Sequence, residues 1–480
     1  MITDRHIYCM ARVTLEAKSA HGIHSGMGDH THDVLLVRDA NGLPTLPGTS
    51  IAGVLRHRIA SQNPVAAERL FGHIQGDGAA SMLSISWGMI HNSQNQPCEG
   101  LLTNEQLADS LLQPLLDSKP LVRQRVRLND RGTAAETGKF DVTLIPAGAR
   151  YSTIMGYWCD GSDQSRQDWQ TVLDLLATSE LRLGHSTRNG QGQFKIQSLE
   201  QAIWDLKTPQ GRSGYQQRPR SRADNTGLKP VVLTPPAPLH VSLTLQAEAG
   251  WRIGGGEHSL NQHDKEPDLL PQHELCIQWN GNKATLSDHG YLLPGSAIKG
   301  AIRHRVAYHY RCLQKDFTTS ESDQTTDKCP AVIALFGQSE GNTGHAGLLQ
   351  FSDVPLDAKK TDTAVLMHNR IDRFTGGVMN GALFSEEVLW KTPLTLRIEI
   401  PANPRTDALD ADTREALQRT LKDLADGWLP IGANGSRGLG VFSDPSGKGP
   451  VWSDQEAFIK GEPIKTDEHS TTNSEQEAIA

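Results

Sequence analysis

Two hydroxyls, two arginines and a histidine lie within one short stretch, LPGTSIAGVLRHRIA at residues 46–60. The same chemistry returns as LPGSAIKGAIRHRVA at residues 293–307, fifteen residues without a gap. Thr49, Ser50, Arg56 and Arg58 of the first copy, and Ser296, Lys299, Arg303 and Arg305 of the second, are all hydrogen-bond donors. Donors of this kind beside the free N–H groups of a helix start suit an anion such as a phosphate. A capped amphipathic helix with solvated charges would also explain one copy; two copies keeping Arg-His-Arg at one offset favour phosphate binding.

Further donors sit in glycine-rich or basic stretches, again once per half. Gly184 to Phe194 and Gly432 to Phe442 share the pattern Gly-x5-Gly-x-Gly-x-Phe, with Arg188, Asn189, Ser436 and Arg437 inside. Glycine there lets backbone N–H groups approach a phosphate or supports a tight bulge. No βαβ spacing or ribose-binding acid accompanies these loops, so they are not a dinucleotide fingerprint. Arg125 and Arg127 belong to a basic hairpin or long loop running to Thr143, answered by Arg370 and Arg373 between His368 and Ser385. Finally, residues 21–33 hold four His and two Asp, whose spacing matches no standard metal-ligand set.

The elements needed to position these groups are legible in outline. Pro-Gly makes a turn, a Thr or Ser hydroxyl is expected to cap the helix, and Ile51, Leu55, Ile59 and Ile298, Ile302, Val306 bury one face at i, i+4 spacing. Residues 7–17 alternate as a strand, as do residues 240–245. Val34 to Val37 is a short buried-strand candidate, and helices are expected over 169–179 and 413–424. A repeat at half the chain length signals a duplicated domain. The expected division is a first domain 1–206, a basic Pro/Gly-rich linker 207–238, a second domain 239–452 and an acidic, disordered tail 453–480.

Composition sets bounds. The 480 residues, 37% hydrophobic, suffice for two or three domains, and no apolar run approaches membrane-spanning length. Six cysteines without a Cys-x-x-Cys pair, and an N-terminus unlike a secretory signal, fit a reducing cytoplasm. The formal charge of −8 is concentrated in the tail, while residues 207–229 carry six Lys/Arg against one Asp. Local basic stretches on a nearly neutral body are compatible with an RNA groove.

The LPG-(S/T)-x-I-x-G helix, the basic mid-domain hairpin and the terminal glycine loop, all present twice, resemble the RAMP superfamily of CRISPR-associated proteins. The likeness is strongest to the backbone subunits of type III effector complexes, fused in tandem as in III-D-like systems. It implies an α+β fold of two ferredoxin-like, RRM-related cores, each with an inserted thumb hairpin. It also implies crRNA and complementary target RNA as ligands, further effector subunits as partners, and the donors named above as RNA contacts. In catalytic backbone subunits an acid ahead of the LPG motif promotes metal-dependent cleavage of target RNA. The matching residue is Asp33, with Mg2+ or Mn2+ as a transient cofactor; Glu274, Asp264 and Asp268 are the second-half candidates. Two alternatives stay open: a scaffold that only grips RNA, and a guide-processing endoribonuclease using His acid–base chemistry from residues 21–32.

Overall fold

The computed structural model describes residues 5–25, 35–130, 132–178, 181–234, 237–316, 326–339, 344–401 and 403–460. The first half is built on a long strand β1 (Ile7–Ala17), followed by helix α1 (Gly48–Gln62) and short strands β2 (Leu83–Ile85) and β3 (Gly88–Ile90). A hairpin of β4 (Leu121–Leu128) and β5 (Ala134–Leu144) comes next, then β6 (Arg150–Cys159), helix α2 (Asp163–Ala177), β7 (Asn189–Gly190) and β8 (Phe194–Asp205). β1 lies between β6 and β8, antiparallel to both, and β2 and β3 pair with β6.

The alternation along β1 divides the sheet. Ala11, Val13 and Leu15 face a core shared with Ile51, Leu55 and Ile59 of α1 and Trp169, Val172 and Leu176 of α2. Burial of each large aliphatic side chain contributes about 2 kcal/mol. On the opposite face Tyr8, Trp158 and Trp204 form a row across three strands, and Tyr215 of a short helix (Pro209–Gln216) closes over it. The basic 207–238 stretch therefore lies against the first half: Arg222 pairs with Glu99 at 2.6 Å, and Lys229 joins the edge of β8.

The second half repeats the plan. β9 (Leu239–Ala247) lies between β15 (Pro393–Ile400) and β16 (Phe442–Ser443), with β12 (Gln350–Ser352) outside β15. Helices α3 (Gly295–Gln314) and α4 (Ala411–Ala425) bury Ile298, Ile302, Val306 and Leu417, Leu421, Leu424 in its core. β13 (Thr363–His368) and β14 (Phe384–Trp390) form its basic hairpin.

The halves are interlocked rather than merely tethered. The second half extends a hairpin, β10 (His273–Asn280) and β11 (Lys283–Leu293), whose Ile277 and Ala284 belong to the first half's core. Trp279 donates to Gly148 O at 2.8 Å beneath the Arg150 guanidinium. In return, β7 adds to the edge of β12 as a parallel strand.

Two local expectations need correction. Pro47 and Pro294 occupy the N-cap positions and no side chain caps either helix, so Thr49, Ser50 and Ser296 lie inside the first turn. The run 34–37 forms no strand among its described residues, only a bridge from Leu36 to His24.

Candidate nucleic-acid interface

The two glycine loops are built alike. Gly192 and Gly440 both have positive φ, and a Cβ on either would collide with the carbonyl of Leu183 or Ile431. Only glycine meets both demands, and the loop is then pinned by Phe194 or Phe442, each fully buried. The first loop is docked on the second half. Gly190 fits against Asp353, and Asp353 accepts from the Gly295 N–H at 2.8 Å, placing a carboxylate at the N-terminus of α3. Lys299 donates to Asn189 Oδ1 at 2.9 Å, and Arg188 donates to Gly347 O at 2.9 Å.

Beneath this contact lies a buried ion-pair network. Arg123 of β4 reaches both Glu274 oxygens at 2.5 and 2.7 Å and Asp353 at 2.9 Å. All three side chains are at most 9% exposed. Glu274, a second-half candidate for the catalytic acid, is committed by this geometry to Arg123. Arg182 likewise reaches Phe351 O and Glu399 across the junction.

Above the network, cations from three elements meet: Arg125 of β4, Arg188 of the first glycine loop, and Lys299 and Arg303 of α3. The Lys299 ammonium is pushed down to about 8 by burial, then by Arg303, Arg188 and Arg125 in that order. Arg125 is pushed down to about 10 by burial and by Arg123. Its Nη1 donates to Ser186 Oγ at 3.1 Å, while its Nε and Nη2 are buried with no hydrogen-bond partner. Burial and like charge both disfavour ionisation, and an anion seated among these groups relieves the repulsion. The cluster continues toward α1, since Arg58, Arg188 and Arg405 all bear on the His57 imidazole. On its other side Arg127 holds Asp327 at 2.7 Å, and Arg303 pairs with the same carboxylate.

Of the expected donors, then, Arg125, Arg188, Asn189, Lys299 and Arg303 converge, with Arg58 and Arg127 at the margins. Arg305 does not join them: it holds Asp423 at 2.5 Å beside His309 and fastens α3 to α4. Thr49 and Arg56 are exposed and Ser50 half-buried on α1; Ser296 is half-buried on α3. Arg370 and Arg373 stand exposed on the second hairpin's turn, and Ser436 and Arg437 are exposed on the second glycine loop. Asp268 is tied to Ser385 N at 2.7 Å, and Asp264 is exposed.

Asp33, His30 and His32 lie outside the described residues. The ends of their segment are joined, Ser25 N to Leu35 O at 2.9 Å, beside His24. His24 and His185 stand 5.7 Å apart, and both His24 and Arg125 depress His185, after burial. His21 is a core residue, bonded to the Tyr151 hydroxyl at 2.9 Å and held neutral by burial, pushed down to about 3.

Arg123, Asp353, Asp327 and Arg405 were not singled out from the sequence. Asp353 follows Leu349-Gln350-Phe351-Ser352 as Trp87 follows Leu83-Ser84-Ile85-Ser86, so aligning the repeats beyond the LPG helices would have marked it.

A comparison with protein-family models matches the RAMP superfamily over residues 14–195 and again over 244–443. A search of curated proteins returned no match. Among the described residues no helix is long and apolar enough to cross a membrane. With both halves matched, and with a cation cluster assembled between them, this chain belongs to the RAMP superfamily, whose members have CRISPR-associated, RNA-binding roles.

Proposed function

We propose that the chain is a tandem backbone subunit of a type III CRISPR effector complex, holding crRNA phosphates at the junction of its halves. The carrying observation is the cluster of Arg125, Arg188, Lys299 and Arg303, with two Arg125 nitrogens buried and unpartnered. The sheet order β8–β1–β6–β2 and its repeat β16–β9–β15–β12 support two ferredoxin-like domains, 1–206 and 239–452. The two hairpins would serve as thumbs on the guide–target duplex. Further effector subunits are the expected partners; the first residues of the expected acidic tail, Gln455–Lys460, instead form a helix whose Phe458 is buried in the second half's core.

Cleavage of target RNA is assigned to Asp33. Its carboxylate, with RNA oxygens and water, would hold a Mg2+ or Mn2+ ion that stabilises developing charge, while guide pairing sets the in-line geometry. The joined ends of the Asp33 segment adjoin His24, whose ring stands 5.7 Å from His185 of the cation-flanked first glycine loop, and this supports the location. The test is cleavage of labelled target RNA by the guide-loaded complex. Loss of one cut in Asp33→Ala and in EDTA, with RNA binding retained, is the expected result. Unchanged cleavage in Asp33→Ala removes the catalytic assignment. If wild-type protein makes no cut but binds guide tightly, it is a scaffold.

A second reading rests on His24 and His185, two imidazoles beside an arginine cluster, an arrangement suited to metal-independent acid–base cleavage. Cleavage that persists in EDTA and disappears in His185→Ala would select it.

A further inference from the structure

The molecule contains a second convergence of chemically active side chains, away from the cation cluster and unused by the proposed function. His258 lies just beyond three consecutive glycines, 254–256; His273 opens β10, and Asp288 lies on β11. Among the described residues these three alone bring ligand atoms of His, Cys, Asp or Glu within 4.8 Å of one another in a group suited to a metal ion.

The backbone explains why they meet. Along the β10–β11 hairpin Glu274 pairs with Gly290, but Cys276 pairs with Ser287, so Asp288 and His289 together oppose Leu275. A bulge of this kind re-aims a side chain, and here Asp288 reaches His273 across the hairpin. His273 Nδ1 stands 3.0 Å from one Asp288 oxygen, and His258 Nε2 stands 2.8 Å from the other. The two rings are 4.6 Å apart. His273 is nearly enclosed, whereas the His258 side chain is 53% exposed, so the group has one fixed wall and one open side.

Two imidazoles and one carboxylate are the donor set of a borderline transition ion. Mg2+ and Ca2+ prefer oxygen ligands throughout. We propose that His258, His273 and Asp288 form a Zn2+-class metal site that fastens the glycine segment 254–256 to the β10–β11 hairpin. His258 Nε2, His273 Nδ1 and an Asp288 oxygen supply three ligands and leave a fourth position for water. Coordination through Nδ1 moves the His273 proton to Nε2. The only contact to be surrendered there is the Glu257 amide at 3.3 Å, long for a hydrogen bond. The site adjoins Glu274, so the ion would stiffen the strand that carries the interdomain pair with Arg123.

The experiment uses full-length protein stripped by a chelator and titrated with Zn2+ in excess Mg2+, with bound metal counted by mass spectrometry and Co2+ absorption reporting the ligand set. One equivalent is expected in wild type. His258→Ala and Asp288→Asn should weaken it by about tenfold or more, and His258→Cys should restore it. Because His258 is exposed, its alanine variant keeps the fold and decides the matter even if Asp288→Asn does not. An unchanged equivalent in His258→Ala, or an equivalent lost only in a His30→Ala/His32→Ala double variant, would overturn the assignment.

Discussion

The two LPG helices begin in the same way and end in different company. At α3 the N-terminus is closed: Asp353 accepts from Gly295, and Gly190 of the first glycine loop lies 3.0 Å from where a Gly295 Cβ would stand. At α1 the position matching Asp353 is Trp87, 44% exposed. The loops mirror this contrast. Gly190 is enclosed by the second half, whereas Gly438 has open space around it, although the two loops keep the same glycine–carbonyl contacts. The halves therefore differ less in their own fold than in what each has been given as a neighbour. At the junction, loop, hairpin and helix from different halves complete a site together.

The largest expected effect of breaking this contrast is at Arg123. Arg123→Ala leaves Glu274 and Asp353 buried without their cation, which should cost about 3–5 kcal/mol. Arg437→Ala, exposed on the second loop, should change stability by less than about 0.5 kcal/mol. Urea unfolding of the two variants checks both, and equal midpoints would refute an energetic difference between docked and open loops.

The glycines give a finer comparison. Gly190→Ala and Gly438→Ala both force a non-glycine residue to positive φ, at about 1–2 kcal/mol each. Only at Gly190 does the new methyl strike Asp353, adding about 1–3 kcal/mol. Thermal denaturation should therefore rank Gly190→Ala well below Gly438→Ala.

RNA binding should also follow the junction. Lys299→Ala should weaken guide RNA binding by about tenfold and reduce the slope of log affinity against log salt by about one. Ser296→Ala, lacking a charge, should shift affinity by less and leave the slope unchanged. Fluorescence anisotropy across a salt series separates them.

The smallest effect concerns pH. With the Lys299 ammonium held down near 8 in the free protein, affinity should fall as pH rises through and above that value, because the neutral amine no longer attracts phosphate. Bound phosphate restores the charge, so the midpoint in the complex lies higher. Lys299→Arg should flatten the profile between pH 7 and roughly 9, since guanidinium stays charged there. A profile that does not respond to this change would exclude Lys299 as the titrating group.

The sequence by itself determined the duplication, the apolar faces of both LPG helices, the β1 strand and the paired glycine loops. Each follows from local periodicity or from a backbone conformation that only glycine adopts. It also marked Arg125, Arg188, Lys299 and Arg303 as donors. Their convergence was decided by tertiary structure, because they come from a hairpin, a loop and a helix whose meeting depends on interlocked cores. The same holds for Glu274, whose position relative to the LPG motif suggested chemistry but whose neighbour is a buried arginine 151 residues away. Arg303 and Arg305 show the limit most simply. Both are polar positions on α3, yet one faces the cation cluster and the other faces Asp423 of α4. Helical periodicity separates the apolar face from the polar one; what stands opposite each part of the polar face is set by long-range packing.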